Sequence, residues 1–349
     1  MSNKERDIGY DFIRFFSTIT IVLFHYSMQL NKIEYDGFRN YLCSFKNGGF
    51  GIVAVALFFI LSGATLIMNN REINIGTFYK KRFMSIYPLF WICYVPLFII
   101  RCLIEHNVKW SGGGYICVVL SILGIDGYIQ EFIPTYYLIG EWFLGAIIIL
   151  YLLYPLHLFC YKKSPLVTTL VIMGLFIMNE FCNIFPMSET RTVPYCLFYF
   201  NLGFLFEDNK EKLERIKILV LITSFVVAFI WLFVKLPFLS SLQAISYTPF
   251  IIALFILIFS LRKVSLPDFC NKFIALICKL SYLFFLVHHV IISFFTKFML
   301  RYTNNSVLGL MFIFFLVLFA SWSIYICYNF IVMRLRRNKS DVKTSLVRR

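Results

Sequence analysis

Charged residues are scarce in this sequence. They make up 15% of its 349 residues, against about a quarter in typical soluble domains, and 60% of the chain is hydrophobic. Long uninterrupted apolar runs recur from end to end, and each is long enough to cross a bilayer as a helix. The alternating pattern of an outer-membrane barrel is absent. These features predict an all-α polytopic membrane protein.

The short motifs of soluble enzymes are also missing. There is no Gly-rich phosphate loop, no GxSxG and no HExxH. The ten cysteines form no CxxC pair and no metal-ligand spacing, so we expect them to pack as small apolar residues and expect no metal. The net charge of +15 does not indicate a nucleic-acid partner, because the basic residues fall in the connections between apolar runs. No internal repeat is evident, so the membrane domain itself is predicted to carry the function.

About ten transmembrane helices are predicted, with both termini in the cytoplasm and membrane lipids around them. The predicted spans are 12–30, 50–68, 83–104, 142–160, 166–185, 194–207, 217–234, 243–261, 275–297 and 307–333. A shorter run at 115–125 is predicted to be re-entrant or interfacial. Lys and Arg fall in alternate connections, and the predicted outer segment 126–141 has none. This places one membrane domain at 1–333 and a basic cytoplasmic tail at 334–349.

The first predicted span carries two residues that are costly in lipid, Arg14 and His25. Their separation of eleven residues is three turns plus about 20°, so both project from one face, roughly 16 Å apart along the axis. Ionisable groups at the depth of His25 usually line a cavity or a proton path. For Arg14 the alternatives are snorkelling to headgroups and a local pair with Asp11. For His25 the alternative is a hydrogen bond to a neighbouring helix.

A second polar face occurs in the span 275–297. Ser281 and His288 are seven residues apart and share that face, and His288 is expected at the depth of His25. Two histidines at one depth predict a shared polar cavity. His289 points about 100° away and is expected to be structural.

Basic residues gather just before the third predicted span. Lys80, Lys81 and Arg82 lie at its predicted cytoplasmic mouth. They are either a topology signal or a clamp for the phosphates of a nucleotide or coenzyme.

Polar residues also mark the predicted outer side. Glu141 and Trp142 open the fourth span, and with Ser281 they are predicted to shape a pocket for a hydroxylated acceptor. The alternative is a solvated acid beside an interfacial aromatic residue.

Taken in order, these features resemble the acyltransferase-3 family of membrane acyltransferases, which includes bacterial polysaccharide and peptidoglycan O-acetyltransferases. The matching elements occur in the family's order and extend to about residue 290. They are Arg14 with ten residues before His25, then GIVAVALFFILSG (51–63), FYKKRFMSIYP (78–88), EWFLGAIIILYLLYPL (141–156) and LSYLFFLVHH (280–289).

This resemblance implies a ten-helix domain that takes an acyl group, usually acetyl, from acyl-CoA on the cytoplasmic side and passes it to a sugar hydroxyl outside. It implies that His25 is essential and that basic residues at the inner mouth engage the coenzyme. The chain departs from the family pattern at two positions. Many members carry a second arginine where Ser85 stands, and an acidic residue where Ala56 stands.

The predicted function is therefore O-acyl transfer from acetyl-CoA to a surface polysaccharide or lipid-linked glycan, in the cytoplasmic membrane of a bacterium. His25 is the expected general base, and Arg14 is expected to join the basic cluster on the coenzyme phosphates. His288 is expected to orient the acceptor, to take part in proton transfer or to stabilise the oxyanion. One alternative is a proton-coupled exporter or flippase of polysaccharide or lipid-linked sugar, against which the lack of a repeat counts. A glycan polymerase would need larger outer loops.

Overall fold

Helices dominate the structure because lipid offers no partner to backbone N–H and C=O groups. The structure, a computed structural model, describes residues 7–37, 49–182, 185–234 and 242–347, except the side chains of 141, 243 and 335–347. The helices α1 to α12 are Ile8–Lys32, Gly49–Asn69, Ile75–Ile104, Tyr115–Ile122, Asp126–Ile129, Glu141–Lys163, Pro165–Cys182, Val193–Arg215, Lys217–Phe233, Gln243–Ser260, Asp268–Thr303 and Ser306–Val347. No strand occurs within those ranges. The predicted all-α fold is confirmed.

Eight of these helices are long and apolar enough to cross a membrane. The predicted spans 194–207 and 217–234 are not two further straight spans. They belong to α8 and α9, which are bent against each other by 114°. The C-terminal part of α8 is highly charged and α9 has 17 residues, so neither qualifies alone, and the pair counts as one further span at most. The run 115–125 contains α4, of eight residues, which is too short to cross, as predicted.

Ion pairs join several helices at one end of the bundle, called the basic end here. Asp7, which caps α1, lies 3.7 Å from Lys210 of α8 and 3.8 Å from Arg262 after α10. At the opposite end, the Tyr26 hydroxyl of α1 donates to the Ser306 carbonyl at 2.8 Å. The orientation of these two ends in the membrane stays a prediction from the positive charges.

Helix α1 lies between two hydrophobic cores. Ile13 and Ile21 pack with α2, α6, α7, α8 and α10. Val22 and Tyr26 pack with α3, α6, α11 and α12. Arg14 and His25 are both partly buried on this helix.

Helices α2 and α8 approach each other closely through two glycines. A Cβ at Gly63 would lie 1.9 Å from the Phe200 carbonyl oxygen, and one at Gly203 would lie 2.1 Å from that of Ile60. Such distances exclude any side chain, so both positions require glycine. This contact fixes the position of α2, whose residues 58–65 help to form the site.

Asp126 is a buried acid at the opposite end, outside the membrane-spanning helices. Its Oδ1 accepts from the Gly127 amide at 2.9 Å, whereas Oδ2 is buried and has no hydrogen-bond partner in the described ranges. Burial raises the pKa of Asp126 to about 7, although the hydrogen bond from the Gly127 amide opposes the rise. The folded protein therefore holds this proton more tightly than the unfolded chain does.

The contribution of Asp126 to the stability of the protein should consequently fall as pH rises from about 4 to about 7, by up to about 4 kcal/mol. Tm measured in detergent between pH 4.5 and 8 should decline more steeply for the wild type than for Asp126→Asn, which has no proton to lose. Asp268→Asn, at an exposed position, should keep the wild-type slope. Parallel curves for the wild type and Asp126→Asn would show that the raised pKa is wrong.

Candidate active site

Three histidine rings meet inside the bundle. The His25 ring centroid of α1 lies 5.0 Å from that of His288 and 5.0 Å from that of His289, both on α11. We call these residues the histidine cluster. The structure thus brings His25 and His288 together. It also places His289 against His25. The His25 ring lies between the two successive side chains of α11, so both contact it although they point about 100° apart.

The hydrogen bonds of His288 fix its tautomer. Its Nδ1 lies 2.9 Å from the carbonyl oxygens of both Phe284 and Phe285. Carbonyl oxygens only accept, so Nδ1 carries the hydrogen and Nε2 carries the lone pair. His288 Nε2 and His25 Nδ1 are both buried, and neither has a partner among the described residues. The histidine cluster therefore presents two unfilled ring nitrogens.

A cavity of about 290 Å³ lies between α1, α2, α3, α6 and α11. Arg14 and Arg82 both line it, and we call it the arginine cavity. The Arg82 guanidinium carbon lies 5.7 Å from the Phe78 ring centroid and 5.5 Å from that of Tyr151. Its Nε is buried without a hydrogen-bond partner in the described part of the chain. Two cations and one N–H donor without a partner make the arginine cavity suitable for an anionic ligand.

The arginine cavity runs towards the histidine cluster and stops short of it. On α6 its lining extends from Tyr151 to Phe143, about 12 Å along the helix. Phe285 also lines it, and that ring lies 6.1 Å from the His288 ring, centroid to centroid. Neither His25 nor His288 lines the cavity. One layer of aromatic rings therefore separates the cavity from the histidines.

Arg14 also lines a second pocket, open and of about 510 Å³, at the basic end. Lys272 and Lys279 contribute to this pocket, which we call the lysine vestibule. Arg14 Nη1 lies 3.7 Å from Asp11 Oδ1, so the predicted local pair is present. The Arg14 side chain nevertheless lines both the arginine cavity and the lysine vestibule. The sequence indicated neither lysine as a site residue, because each lies alone in its turn of α11.

The basic residues before the third span separate in the structure. Lys80 and Lys81 are exposed and do not line the arginine cavity, whereas Arg82 does. The cavity-lining residues of α3 are Arg82, Ser85 and Ile86, at positions i, i+3 and i+4 of one face. Lys80 and Lys81 fall on other faces. Ser85 occupies the cavity wall at the position where many members of the resembled family carry a second arginine.

The structure does not bring Ser281 and Trp142 of the predicted acceptor pocket together. Ser281 lines the arginine cavity, with its hydroxyl donating to the Cys278 carbonyl at 2.9 Å. Trp142 does not line that cavity and lies towards the opposite end, 6.4 Å from Phe59 between ring centroids. The side chain of Glu141 lies outside the described residues.

Arg191 is a candidate site residue that the sequence did not indicate. Its guanidinium carbon lies 5.7 Å from the Trp142 ring centroid, and its Nη1 lies 2.8 Å from Glu131 Oε1. Arg191 therefore lies beside Trp142, at the start of α6. It sits in a 3₁₀ turn between α7 and α8, far from His25 in sequence, so no helical spacing could connect the two.

Comparison with known proteins assigns the chain to a family. A family model for an acyltransferase domain matches residues 7–326. The chain belongs to the acyltransferase-3 family. No curated protein and no solved structure matches it.

The matched range makes this protein a multi-pass membrane acyltransferase. It contains Arg14, His25, Arg82 and His288, and so includes both the arginine cavity and the histidine cluster. Membership in this family favours acyl transfer over the exporter and polymerase alternatives. The roles of individual residues, and the domain boundary at 333, stay predictions.

Proposed function

We propose that this acyltransferase moves an acetyl group from acetyl-CoA at the basic end to a hydroxyl of a surface polysaccharide or lipid-linked glycan at the opposite end. The observation that carries this proposal is that the arginine cavity leads towards the histidine cluster. A cavity with Arg14 and Arg82 at its mouth ends at Phe285, whose ring contacts His288 of the histidine cluster. We place the protein in a bacterial cytoplasmic membrane with the basic end in the cytosol.

The donor side suits a coenzyme with a long arm. Arg14 and Arg82 would hold its phosphates, and the lysine vestibule would receive the nucleotide. An extended pantetheine arm is roughly 15–20 Å long, on the scale of chain reach. The cavity supplies about 12 Å of that length along α6, and one aromatic ring separates its end from the histidines. A thioester carried by this arm would therefore arrive beside the histidine cluster.

The reaction needs one base and one group that stabilises negative charge. The acceptor hydroxyl oxygen attacks the thioester carbonyl carbon, forming a C–O bond as the C–S bond breaks. His25 takes the hydroxyl proton, and that proton is then delivered to the departing coenzyme thiolate. His288, with its lone pair at Nε2, would orient the acceptor by accepting a hydrogen bond. Arg191, which lies beside the Trp142 ring, would supply positive charge for the oxyanion.

A transfer assay in membranes tests this function and needs no purified acceptor. Membrane vesicles from cells with and without the gene are incubated with [¹⁴C]acetyl-CoA, and alkali-labile label in the glycan fraction is measured. We expect label that requires the gene, and O-acetyl groups that disappear from the cell surface when the gene is deleted. Equal labelling of both vesicle preparations would contradict acetyl transfer to a glycan.

Arg191→Gln should lower the initial rate in this transfer assay about tenfold or more, because a preorganised cation near the reacting atoms acts on the transition state. Tm should change little, since the ion pair with Glu131 is partly exposed and worth about 1 kcal/mol or less. Arg101→Gln is a matched control. Arg101 also pairs with a glutamate, Glu105 at 2.7 Å, and lies over a tryptophan ring. Equal rates for the two variants would exclude a role for Arg191.

A further inference from the structure

Three phenylalanines close the inner end of the arginine cavity. Phe58 of α2, Phe143 of α6 and Phe285 of α11 all line it. The Phe143 ring centroid lies 5.1 Å from that of Phe285, in an edge-to-face arrangement, and 5.8 Å from that of Phe58. Beyond them, the Phe285 ring faces His288. Any group that travels from the arginine cavity to the histidine cluster must pass this layer.

The space behind the layer is tightly filled. Phe59 is fully buried, and its ring centroid lies 5.0 Å from that of Phe143. Phe284 and Leu286, which flank Phe285, are also buried, as is His288. A methyl group needs only a small displacement of two rings to pass. Each further methylene must displace packed side chains, which is unfavourable in a close-packed interior.

We propose that Phe143 and Phe285 determine acyl-chain length in this enzyme and restrict transfer to short acyl groups, acetyl before butyryl and hexanoyl. The inference rests on the proposed function, since it concerns the donor that enters the arginine cavity. Its physical basis is the contact between the two rings: the acyl tail enters ahead of the thioester carbonyl, so it must pass these rings and then fit into the packed space behind them. The resulting discrimination arises from packing and needs no polar contact with the tail.

The test compares [¹⁴C]acetyl-, butyryl- and hexanoyl-CoA as donors in the membrane transfer assay. The wild type should prefer acetyl over hexanoyl. Phe285→Ala and Phe143→Ala remove one ring each, and the ratio of acetyl to hexanoyl transfer should fall by about tenfold or more, as expected when a hydrophobic site gains room for several methylenes. Phe294→Ala, at an exposed position of the same helix, should keep the wild-type ratio.

Milder substitutions keep the test decisive if an alanine variant does not fold. Phe285→Leu and Phe143→Leu retain most of the apolar volume and should lower the same ratio in the same direction. An unchanged ratio in folded variants at both positions would overturn the inference.

Failure of the inference and failure of the proposed function give different results. If no acyl-CoA yields label that depends on His25, the proposed function fails. If acetyl transfer depends on His25 but truncation of neither ring changes the chain-length profile, only the role of these two rings is wrong.

Discussion

Replacing His25 with alanine is expected to lower the rate of acyl transfer by about 10²- to 10⁴-fold, the range typical for loss of a positioned general base. The residue lies against His288 and His289 with an unfilled Nδ1, so its loss removes a proton acceptor and leaves the donor cavity intact. The binding of acetyl-CoA to purified protein should therefore change little. Initial rates in the membrane assay and calorimetric titration of the protein in detergent measure the two effects separately.

A second buried histidine provides the control for this substitution. His157 of α6 lies in a membrane helix and pairs through Nε2 with Asn201 Oδ1 at 2.9 Å, away from the arginine cavity. His157→Gln should retain transfer in proportion to the amount of folded protein. His288→Ala should also be impaired, and the double variant with His25→Ala should be little worse than the worse single variant, because residues that act as a unit are not additive. Full activity of His25→Ala at normal expression would refute the assignment.

Removing the arginine cations should weaken the donor interaction by about ten- to a hundredfold. Charge-assisted hydrogen bonds contribute about 1.5–3 kcal/mol each, and both Arg14 and Arg82 line the arginine cavity. We expect Arg14→Ala and Arg82→Ala to raise KM for acetyl-CoA by that factor, with a smaller effect on kcat. Arg82→Lys should fall between the wild type and alanine, since it keeps the charge but loses the Nε donor.

Lys80 and Lys81 are the matched controls, because they neighbour Arg82 in sequence but are exposed and outside the cavity. Lys80→Ala and Lys81→Ala should change KM for acetyl-CoA by less than about threefold, because exposed charges are screened by salt. A larger effect of the lysines than of Arg82 would place the coenzyme on the outer face of α3. The arginine cavity would then not be the donor site.

Spacing along single helices predicted a large part of this site. The separation of Arg14 and His25 placed them on one face of α1, and depth placed His288 beside His25, as the structure has them. The same reasoning failed for His289, because a helical wheel gives the direction of a side chain from its own axis and says nothing of where the neighbouring helix stands. It also treated Lys80, Lys81 and Arg82 as one cluster, although their side chains leave α3 on different faces.

Other contacts between distant segments could not be predicted, because neither spacing nor depth indicated them. Arg191 reaches the Trp142 ring from a turn that follows α7, and Lys272, near the start of α11, lines the lysine vestibule together with Arg14. Both placements depend on tertiary packing, to which one sequence without relatives gives no access. The bend between α8 and α9 was missed for a related reason: hydropathy identifies apolar runs, whereas the charged C-terminal part of α8 extends beyond its own run.

The two carbonyl oxygens that hold His288 Nδ1 have a consequence for the movement of protons through this ring. A histidine in a proton wire takes up a proton on one nitrogen and releases it from the other. His288 can exchange a proton only at Nε2, because Nδ1–H is held by Phe284 and Phe285. A proton that reaches this ring must leave by the way it came. On the proposed mechanism, His288 would therefore take part in acyl transfer without offering protons a path through its ring from one side of the membrane to the other.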